Sequence, residues 1–373
     1  MESNKLVLLF SGYNDRAVIS FARTLTANGV RFAVVARDST DAIFLSDYAS
    51  EVVHTRDSNS RQLDRDLIRR VLKDVRNSHP ETECLIAPST EALNRFILRE
   101  REFLQSNGIS VPLAAGELYA AISDKQSFAE ICRNSDISVP EEYRSVQSSK
   151  YPFVAKPKTY QSEDGGIHTP YLIFDDKQKE SFLRECDENQ FFYQEFVAGQ
   201  SIYLLYYFRK DGSVAKLSQE NWVQQPQGRS IVAATTSRYH EDAESDRYEA
   251  LFKSLGFRGL VMVEIKVSDG TAFMIEANPR FWGPSQLFVD AGLNLFEEFL
   301  FDHDIILNRP GARENGEARY FWYGGFLGVL RDSDELVYHR GTEHEFRAEL
   351  DSWIAADVYR RDDTMKIFAE ETR

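Results

Sequence analysis

Two carboxylates separated by a hairpin turn are the residues of this sequence best suited to binding a metal ion. The segment 261–280 reads VMVEIKVSDGTAFMIEANPR, with Asp269-Gly270 between two apolar runs. Asp-Gly in this place is typical of a tight turn between antiparallel strands. Each strand then has one carboxylate among residues expected to be buried, Glu264 on the first and Glu276 on the second. Two such glutamates repel each other unless a positive group lies between them.

An amide and a guanidinium follow Glu276 at intervals of two residues, which places them on the same face of the strand. Asn278 adds a neutral oxygen, and two carboxylates with an amide oxygen suit Mg²⁺ when phosphate oxygens complete the shell. Arg280 could hold an oxygen of a phosphoryl group or of an acyl phosphate. The alternative is that these are strand-end residues in ion pairs with Arg258 or Lys266, but the complete set favours the metal site.

Two lysines have positions from which they could bind phosphates. Lys156 ends the apolar run 153–155 and precedes a polar loop that closes with Gly165-Gly166, an arrangement of point charge and exposed backbone N–H groups. Lys125 lies in the first turn of a predicted helix, where a basic side chain is unfavourable unless an anion binds there. A solvated lysine beside a hairpin and an ordinary surface lysine are the alternatives.

An aromatic-rich segment, 192–199, is broken by Ala198-Gly199. A segment of this kind is commonly a core strand followed by a turn. It could also be a hinge between two sheets, where backbone groups contact an adenine edge and aromatic rings form the walls.

The first 120 residues alternate between predicted strands and helices. Strands are predicted at 6–10, 31–35 and 84–87, and helices up to Ala27, over 61–77 and from Glu91. This alternation predicts an α/β domain with a doubly wound parallel sheet, whose ligands bind at the carboxyl ends of the strands. The turn after the first strand, Ser11-Gly12-Tyr13-Asn14-Asp15-Arg16, lacks the second and third glycines of a dinucleotide fingerprint, which argues against a nicotinamide or flavin cofactor.

The remainder of the chain has an α+β pattern. A helix is predicted over 119–140, with Ser123 as N-cap and Gln126 completing a capping box. From residue 151 the predictions are mainly strands: 153–155, 167–174, 191–195, 201–209, 213–218, 230–236, 259–267 and 271–276. Helices are predicted over 177–187 and 241–254 and from Gly292, and residues 309–373 add a strand-like segment, 320–330, and a polar helical tail.

The composition excludes several classes of protein. Of the 373 residues, 42% are hydrophobic and 28% charged, which is ordinary for a globular chain. The net charge of −15 argues against nucleic-acid binding, and no apolar run is long enough for a membrane helix. The apolar N-terminal stretch is interpreted as a first strand and not as a signal peptide. Cys84, Cys132 and Cys186 are far apart, which favours free thiols in a reducing, cytoplasmic compartment.

Taken in order over residues 1–308, these elements resemble the ATP-grasp ligases, of the carboxylate–amine type. The resemblance implies an α/β pre-ATP-grasp domain over 1–118, an ATP-grasp domain over 119–308 with a small lid subdomain at about 151–195, and a C-terminal extension over 309–373. The tail is similar to the extra segment of carbamoyl-phosphate-synthase-like members.

The resemblance also implies roles for individual residues. Those implied to bind ATP are Lys125 and Lys156 on the phosphates, Gly165 and Gly166 in a mobile loop, and Gln194, Glu195, Phe196 and Val197 around the adenine. Ser201 stands where an acidic residue for the ribose is usual. Glu264, Glu276 and Asn278 would hold Mg²⁺, with Mn²⁺ as a substitute, and Arg280 would be catalytic. Ser89, Glu91, Arg229 and Trp282 are the candidates for substrate binding.

The implied reaction joins a small-molecule carboxylate to an amine through an acyl phosphate, with release of ADP and phosphate. An ATP-grasp kinase and a non-catalytic nucleotide-binding protein are the alternatives, and a Rossmann oxidoreductase is disfavoured by the missing glycines. A homodimer is expected because it is the commonest assembly.

Overall fold

The computed structural model describes residues 5–56, 63–80, 82–158, 170–311 and 316–373. The strands are β1 Lys5–Phe10, β2 Phe32–Ala36, β3 Val52–Thr55, β4 Glu83–Ile86, β5 Ile109–Ser110, β6 Glu142–Tyr143, β7 Phe153–Pro157, β8 Tyr171–Ile173, β9 Phe191–Glu195, β10 Gln200–Phe208, β11 Val214–Gln224, β12 Ile231–Ser237, β13 Gly259–Ser268, β14 Thr271–Asn278, β15 Arg319–Phe321 and β16 Val337–Tyr338.

The helices are α1 Asp15–Ala27, α2 Arg65–Ser78, α3 Glu91–Arg99, α4 Arg101–Ser106, α5 Gly116–Ser123, α6 Lys125–Arg133, α7 Asp176–Glu185, α8 Ala243–Ser254, α9 Gln286–Asp290, α10 Leu295–Asp302, α11 Tyr323–Arg331, α12 Glu343–Ala348, α13 Leu350–Ala355 and α14 Met365–Glu371. Within the ranges given above, no helix combines the length and the apolar character that crossing a membrane requires.

The N-terminal part forms a parallel sheet in the order β3-β2-β1-β4-β5. The central strand β1 is buried on both faces, because α1 covers one face while α2 and α3 cover the other. The predicted parallel α/β domain is therefore confirmed. Its carboxyl edge carries Ser11 after β1 and Ser89 after β4, and it faces the second half of the molecule.

The second half is built on two antiparallel sheets. The larger has seven strands, in the order β14-β13-β10-β11-β12-β15, with β16 also paired to β11. The smaller has the order β6-β9-β7-β8, and α7 packs on it. One face of the larger sheet shares a hydrophobic core with α1, which holds the carboxyl edge of the parallel sheet against this face. The predicted α+β texture is confirmed.

The prediction of one continuous helix over 119–140 is wrong. The chain forms α5 and α6, separated by Asp124 in an extended conformation. Asp124, and not Ser123, caps α6, because its side chain accepts a hydrogen bond from the backbone N–H of Ser127 at 2.8 Å. Gln126 forms no capping box and donates instead to Glu142. Lys125 is consequently the first residue of α6.

The C-terminal part differs from two predictions. The segment 320–330 is not a strand throughout: β15 ends at Phe321 and α11 follows. Trp322 packs directly over Gly325, where a Cβ would lie 2.2 Å from a ring atom, so the chain turns back on itself there. The helix expected from Gly292 begins at Leu295, since Asn294 caps it. Of the predicted strand 167–174, residues 167–169 lie outside the described ranges.

Candidate functional site

The hairpin of β13 and β14 brings the two predicted metal-binding carboxylates face to face. Glu264 pairs directly with Glu276 in the antiparallel register. The connecting residues Asp269 and Gly270 both have positive φ, 48° and 77°, as a tight two-residue hairpin turn requires. The turn that the sequence predicts is therefore present, and it sets which residues of the two strands are opposite each other.

A β-bulge in β14 decides which face Glu276 occupies. The pairing shifts between Glu276 and Met274, which leaves Ile275 as the extra residue. Met274 and Ala277 consequently pack into the same hydrophobic core although their positions differ by three, an odd number that strict alternation would place on opposite faces. Without the bulge, Glu276 would lie on the core face with Met274. With it, Glu276 and Asn278 lie on the same face as Glu264.

Four side chains on this face form a hydrogen-bonded row. The ammonium of Lys125 is 2.8 Å from Glu276 Oε2, and Asn278 Nδ2 donates to Glu276 Oε1 at 2.8 Å. Arg280 Nη2 then donates to Asn278 Oδ1 at 3.1 Å. We call Lys125, Glu276, Asn278 and Arg280 the polar row. A helix start and a strand end that are far apart in the chain are thus joined through one carboxylate.

Lys156 lies beside the polar row and is buried. Its side chain is 6% exposed, and its Nζ donates to the carbonyl of the bulged residue Ile275 at 3.2 Å. Burial, and after it the neighbouring charge of Lys125, lowers the pKa of Lys156 to about 8. No ion pair joins Lys156 to a residue within the described ranges. Two ammonium groups so close together form a region suited to a polyanion.

The two glutamates have opposite pKa shifts. Burial raises the pKa of Glu264 to about 6; the nearby charge of Lys266 opposes this rise, and the smaller effect of the charge of Glu276 adds to it. Burial would also raise the pKa of Glu276, but Lys125 and the hydrogen bond from Asn278 bring it down to about 2. Glu264 has no hydrogen bond or ion pair with another described residue. A cation beside it would relieve its desolvation and its repulsion from Glu276.

The donor set fits Mg²⁺. Hard carboxylate and amide oxygens are the ligands that this ion prefers, and it usually retains water or phosphate oxygens in its shell. In the described ranges no group of three or more His, Cys, Asp or Glu side chains has a metal-binding arrangement. The protein therefore offers a metal at this position two carboxylates and an amide oxygen.

A cavity of about 670 Å³ extends from the hairpin to the carboxyl edge of the parallel sheet. It is lined by Glu264, Glu276, Asn278 and Arg280 and by all four predicted substrate residues, Ser89, Glu91, Arg229 and Trp282. The structure therefore brings the two groups of residues into one space.

The four predicted substrate residues differ in how free their polar groups are. Glu91 accepts hydrogen bonds from Tyr119 and Arg95, both at 2.7 Å. The buried hydroxyl of Ser89 donates to the backbone of β1 at 3.1 Å. Arg229 is exposed and forms an ion pair with Asp334 at 3.4 Å.

The fourth, Trp282, is buried, and its indole N–H has no hydrogen-bond partner among the described residues. Arg280 Nε, also buried and without a hydrogen bond, lies 3.8 Å from Glu91. Both residues line the cavity.

The residues predicted around adenine and ribose lie on the smaller sheet and at the start of β10, outside the lining of this cavity. Gln194 is buried, and its Oε1 has no partner among the described residues. The backbone N–H groups of Glu195 and Phe196 donate to the carbonyls of Glu141 and Pro152, respectively. Val197 follows in the connection between β9 and β10. Ser201 is buried and accepts a hydrogen bond from Asn221 at 3.0 Å. Gly165 and Gly166 lie outside the described residues.

The sequence predictions missed several residues of the cavity. Arg56 follows β3, a short half-buried strand without alternation that was not predicted. Arg16 and Asn14 lie at the start of α1, directly after the glycine turn. Tyr203 lies on the site face of β10. The position after a strand of a parallel sheet is the one signal that could have identified Arg56.

Comparison with known proteins gives one family match. Residues 122–284 match the model of the ATP-grasp domain. No curated protein sequence matches the chain significantly.

Solved structures share the fold. The biotin carboxylase of Campylobacter jejuni, in complex with β-γ-ATP, has a TM-score of 0.61 and 14% identity and covers 84% of this chain and 74% of its own. The biotin carboxylase domain dimer of the Hydrogenobacter thermophilus 2-oxoglutarate carboxylase, with MgADP, ADP and bicarbonate, has a TM-score of 0.61 and 11% identity. That match covers 84% of this chain and 73% of the carboxylase chain. An ADP complex of PurK, N5-carboxyaminoimidazole ribonucleotide synthetase, has a TM-score of 0.61 and 12% identity, and the match covers 89% of this chain and 86% of the PurK chain.

Proposed function

Residues 122–284 match the ATP-grasp domain, and on this premise we propose that the chain is an ATP-dependent carboxylate–amine ligase. The acid and the amine are small molecules that enter the 670 Å³ cavity, whose volume is usual for such ligands. ATP transfers its γ-phosphoryl group to the acid, and the amine then displaces phosphate.

The observation that carries the proposal is the polar row opposite Glu264. It joins an ammonium, a carboxylate, an amide and a guanidinium through contacts of 2.8 to 3.1 Å. Three of these side chains, those of Glu276, Asn278 and Arg280, also line the cavity. Groups suited to phosphate and to a metal ion thus adjoin a space suited to an acid.

The metal would be held by Glu264, Glu276 and Asn278. When bound, Mg²⁺ neutralises charge on the phosphate oxygens and orients the group that is transferred. Lys125 and Lys156 contribute two further positive charges, and the depressed pKa of Lys156, about 8, still leaves it protonated at neutral pH. Lys125 would leave the carboxylate of Glu276 and bind phosphate oxygens when the nucleotide and metal enter.

Arg280 would act at the reacting carboxylate. Its Nη2 donates to Asn278 and its Nη1 to the carbonyl of Phe281, while its buried Nε is 3.8 Å from Glu91 and makes no hydrogen bond within the described structure. A carboxylate oxygen of the acid attacks the γ-phosphorus, and ADP leaves. The amine nitrogen then attacks the acyl carbon, phosphate leaves, and the nitrogen loses a proton. Arg280 would hold an oxygen of the acyl phosphate between these steps.

The remaining assignments follow from the same resemblance. We propose that Gln194, Glu195, Phe196 and Val197 surround the adenine, that Ser201 lies at the ribose, and that Gly165-Gly166 close over the phosphates. The domains would be 1–118, 119–308 and 309–373, with residues 151–195 as the lid. The complexes of similar fold that contain ADP or MgADP support a nucleotide at this place. A homodimer is proposed on the example of the Hydrogenobacter domain dimer.

The test is Mg²⁺-dependent release of ADP by the full chain with amino acids and sugar acids, given singly and in acid–amine pairs. Hydroxylamine is added in a parallel series, because it converts an acyl phosphate to a hydroxamate. We expect ADP and hydroxamate together, and an Arg280→Met variant should lose both. Arg238→Met, which removes an exposed guanidinium paired with Glu241, is the matched control and should retain both.

Two outcomes would contradict the ligase. ADP released without hydroxamate would indicate a kinase that phosphorylates a hydroxyl. No ADP with any acid, while ATP still raises the melting temperature, would indicate a nucleotide-binding protein without this activity.

A further inference from the structure

The end of the cavity that lies away from the hairpin has its own chemical character. It is formed at the carboxyl edge of the parallel sheet, and Phe10, Ser11, Tyr13, Arg56 and Leu63 line it. Three of these side chains are aromatic or aliphatic, and one is a guanidinium. The chain carries a net charge of −15, so a cation at the inner end of a cavity is a local exception to its overall electrostatics.

Arg56 is buried and fixed by the backbone. Its side chain is 7% exposed. Its Nη2 donates to the carbonyl of Ser11 at 2.9 Å, and its Nε donates to the carbonyl of Ala36 at 3.3 Å. The guanidinium lies 5.5 Å from the ring centre of Tyr13 and 5.9 Å from that of Phe10. These contacts hold the group in place but do not neutralise its charge.

No carboxylate in the described ranges forms an ion pair with Arg56, and no described acceptor binds its Nη1. Asp41 and Asp38, the described acids whose charges act on Arg56, are engaged elsewhere. Asp41 accepts hydrogen bonds from the Ser11 hydroxyl and from the backbone N–H of Arg37, both at 2.7 Å. Asp38 pairs with the Arg37 side chain at 2.9 Å. Burial lowers the pKa of Arg56, as expected of a cation that lacks a close partner.

The other arginines of the cavity have side chains as hydrogen-bond or ion-pair partners, whereas those of Arg56 are backbone carbonyls. Arg16 donates to the Ser230 hydroxyl, to the Tyr320 hydroxyl and to a backbone carbonyl, and it stacks at 3.8 Å on Trp322. Arg229 pairs with Asp334 and Arg280 belongs to the polar row. An unpaired buried charge is costly, whereas a buried charge that meets an anion with good geometry is tolerated. Arg56 therefore has the features of a site completed by a ligand.

We propose that Arg56 binds a second anionic group of the acid substrate, a carboxylate or a phosphate distant from the carboxylate that is activated at Arg280. The substrate class is then a small acid with two separated anionic groups, whose carbon chain lies along Phe10, Tyr13 and Leu63. The inference rests on the proposed function for the reacting end, but the binding at Arg56 requires no turnover.

Calorimetry on the full chain with Mg²⁺ and a non-hydrolysable ATP analogue tests this with two matched pairs of ligands. Glutarate is compared with pentanoate, and 3-phosphoglycerate with glycerate. We expect the ligand with the second anionic group to bind about 10- to 100-fold more tightly in at least one pair, the range of one charge-assisted contact. If both pairs show the preference, the site accepts either anionic group. If only the pair of 3-phosphoglycerate and glycerate shows it, the site binds a phosphate.

Variants connect the preference to the residue. Arg56→Met should abolish it and Arg56→Lys should retain part of it. Arg37→Met removes a neighbouring guanidinium that does not line the cavity and should leave the preference intact. Equal binding within both pairs, or a preference that survives Arg56→Met, would overturn the proposal.

A measurement on the unaltered protein covers the case in which the Arg56 variants do not fold. Phenylglyoxal modifies accessible arginines, and mass spectrometry locates the adduct. In the preferred pair, the ligand with the second anionic group should protect Arg56 and its monoanionic counterpart should not. Equal modification of Arg56 with both ligands would contradict the proposal. Since both readouts are of binding, failure of the ADP assay refutes the ligase without deciding the role of Arg56.

Discussion

Replacing Glu276 with Gln should remove activity while leaving the stability of the protein almost unchanged. The side chain keeps its shape, so no cavity is created. Two electrostatic changes oppose each other. Lys125 loses a partly buried ion pair, which lowers the free energy of unfolding by about 1–2 kcal/mol. Glu264 is relieved of a neighbouring like charge, which raises the free energy of unfolding by a similar amount. The free energy of unfolding should therefore change by about 1 kcal/mol or less, a shift of a few degrees at most in melting temperature.

The activity should fall much further. An amide lacks the negative charge that Glu276 contributes to the metal site, and its N–H group would face either the ammonium of Lys125 or the amide N–H of Asn278. Loss of one electrostatic contact to the transferring group typically costs 100- to 1,000-fold in rate, about 3–4 kcal/mol. We expect kcat/KM for ATP to fall by this factor, measured as ADP release over a range of Mg²⁺ concentrations.

Glu298→Gln is the matched control. Glu298 contacts Arg209 at 2.6 and 2.7 Å, and both side chains are less than a tenth exposed. Breaking this pair leaves an uncompensated buried guanidinium, which costs about 3–5 kcal/mol. The variant should melt at a much lower temperature but keep its activity per folded molecule, because neither residue lines the cavity. An undiminished rate in Glu276→Gln, or a loss of activity that merely follows a loss of stability, would refute the metal site at the hairpin.

Three further variants test other parts of the reasoning. Lys156→Met should weaken ATP binding about 10- to 100-fold and raise the melting temperature at pH 7. The stabilisation is expected because a buried lysine with a pKa of about 8 destabilises the fold while it is protonated, an effect that disappears as pH rises from about 8 toward 10.5. Lower stability with unchanged ATP affinity would contradict both expectations. Since burial raises the pKa of Glu264 to about 6, Mg²⁺ affinity measured by titration should fall as pH decreases through about 6, and Glu264→Gln should bind weakly at every pH without this step. Gly199→Ala should lower the free energy of unfolding, measured in urea, by more than about 2 kcal/mol, because its Cβ would lie 2.1 Å from the carbonyl oxygen of Val267. Gly212→Ala is the control: Gly212 also has a positive φ but nothing lies within 4 Å of its Cβ position, so the substitution should cost about 1 kcal/mol. Similar values for the two variants would contradict the close approach at Gly199.

Local signals in the sequence determined much of the framework. The uninterrupted apolar run of β1 predicts a strand covered on both faces, and the Asp269-Gly270 turn predicts the hairpin and its position. The start of α3 at Glu91 was also predicted from the sequence. These signals succeed because each acts within a few residues, through backbone sterics, capping or the period of the apolar side chains.

Other elements were decided by packing. The half-buried β3 has no alternation to reveal it, so Arg56 could not be placed at the edge of the sheet. The segment after β15 is apolar enough for a strand, but Trp322 folds over Gly325 and a helix follows. In both cases the neighbours in space, and not those in sequence, select the conformation.

The candidate site shows the same division most clearly. The residue types and spacing of Glu264, Glu276, Asn278 and Arg280 follow from the sequence alone. Their common face does not, because strict alternation would put Glu276 into the core beside Met274, and only the bulge at Ile275 turns it outward. The contact of Lys125 with Glu276 likewise joins distant parts of the chain. Register and long-range contacts depend on the packing of the whole sheet, so only the tertiary structure could decide them.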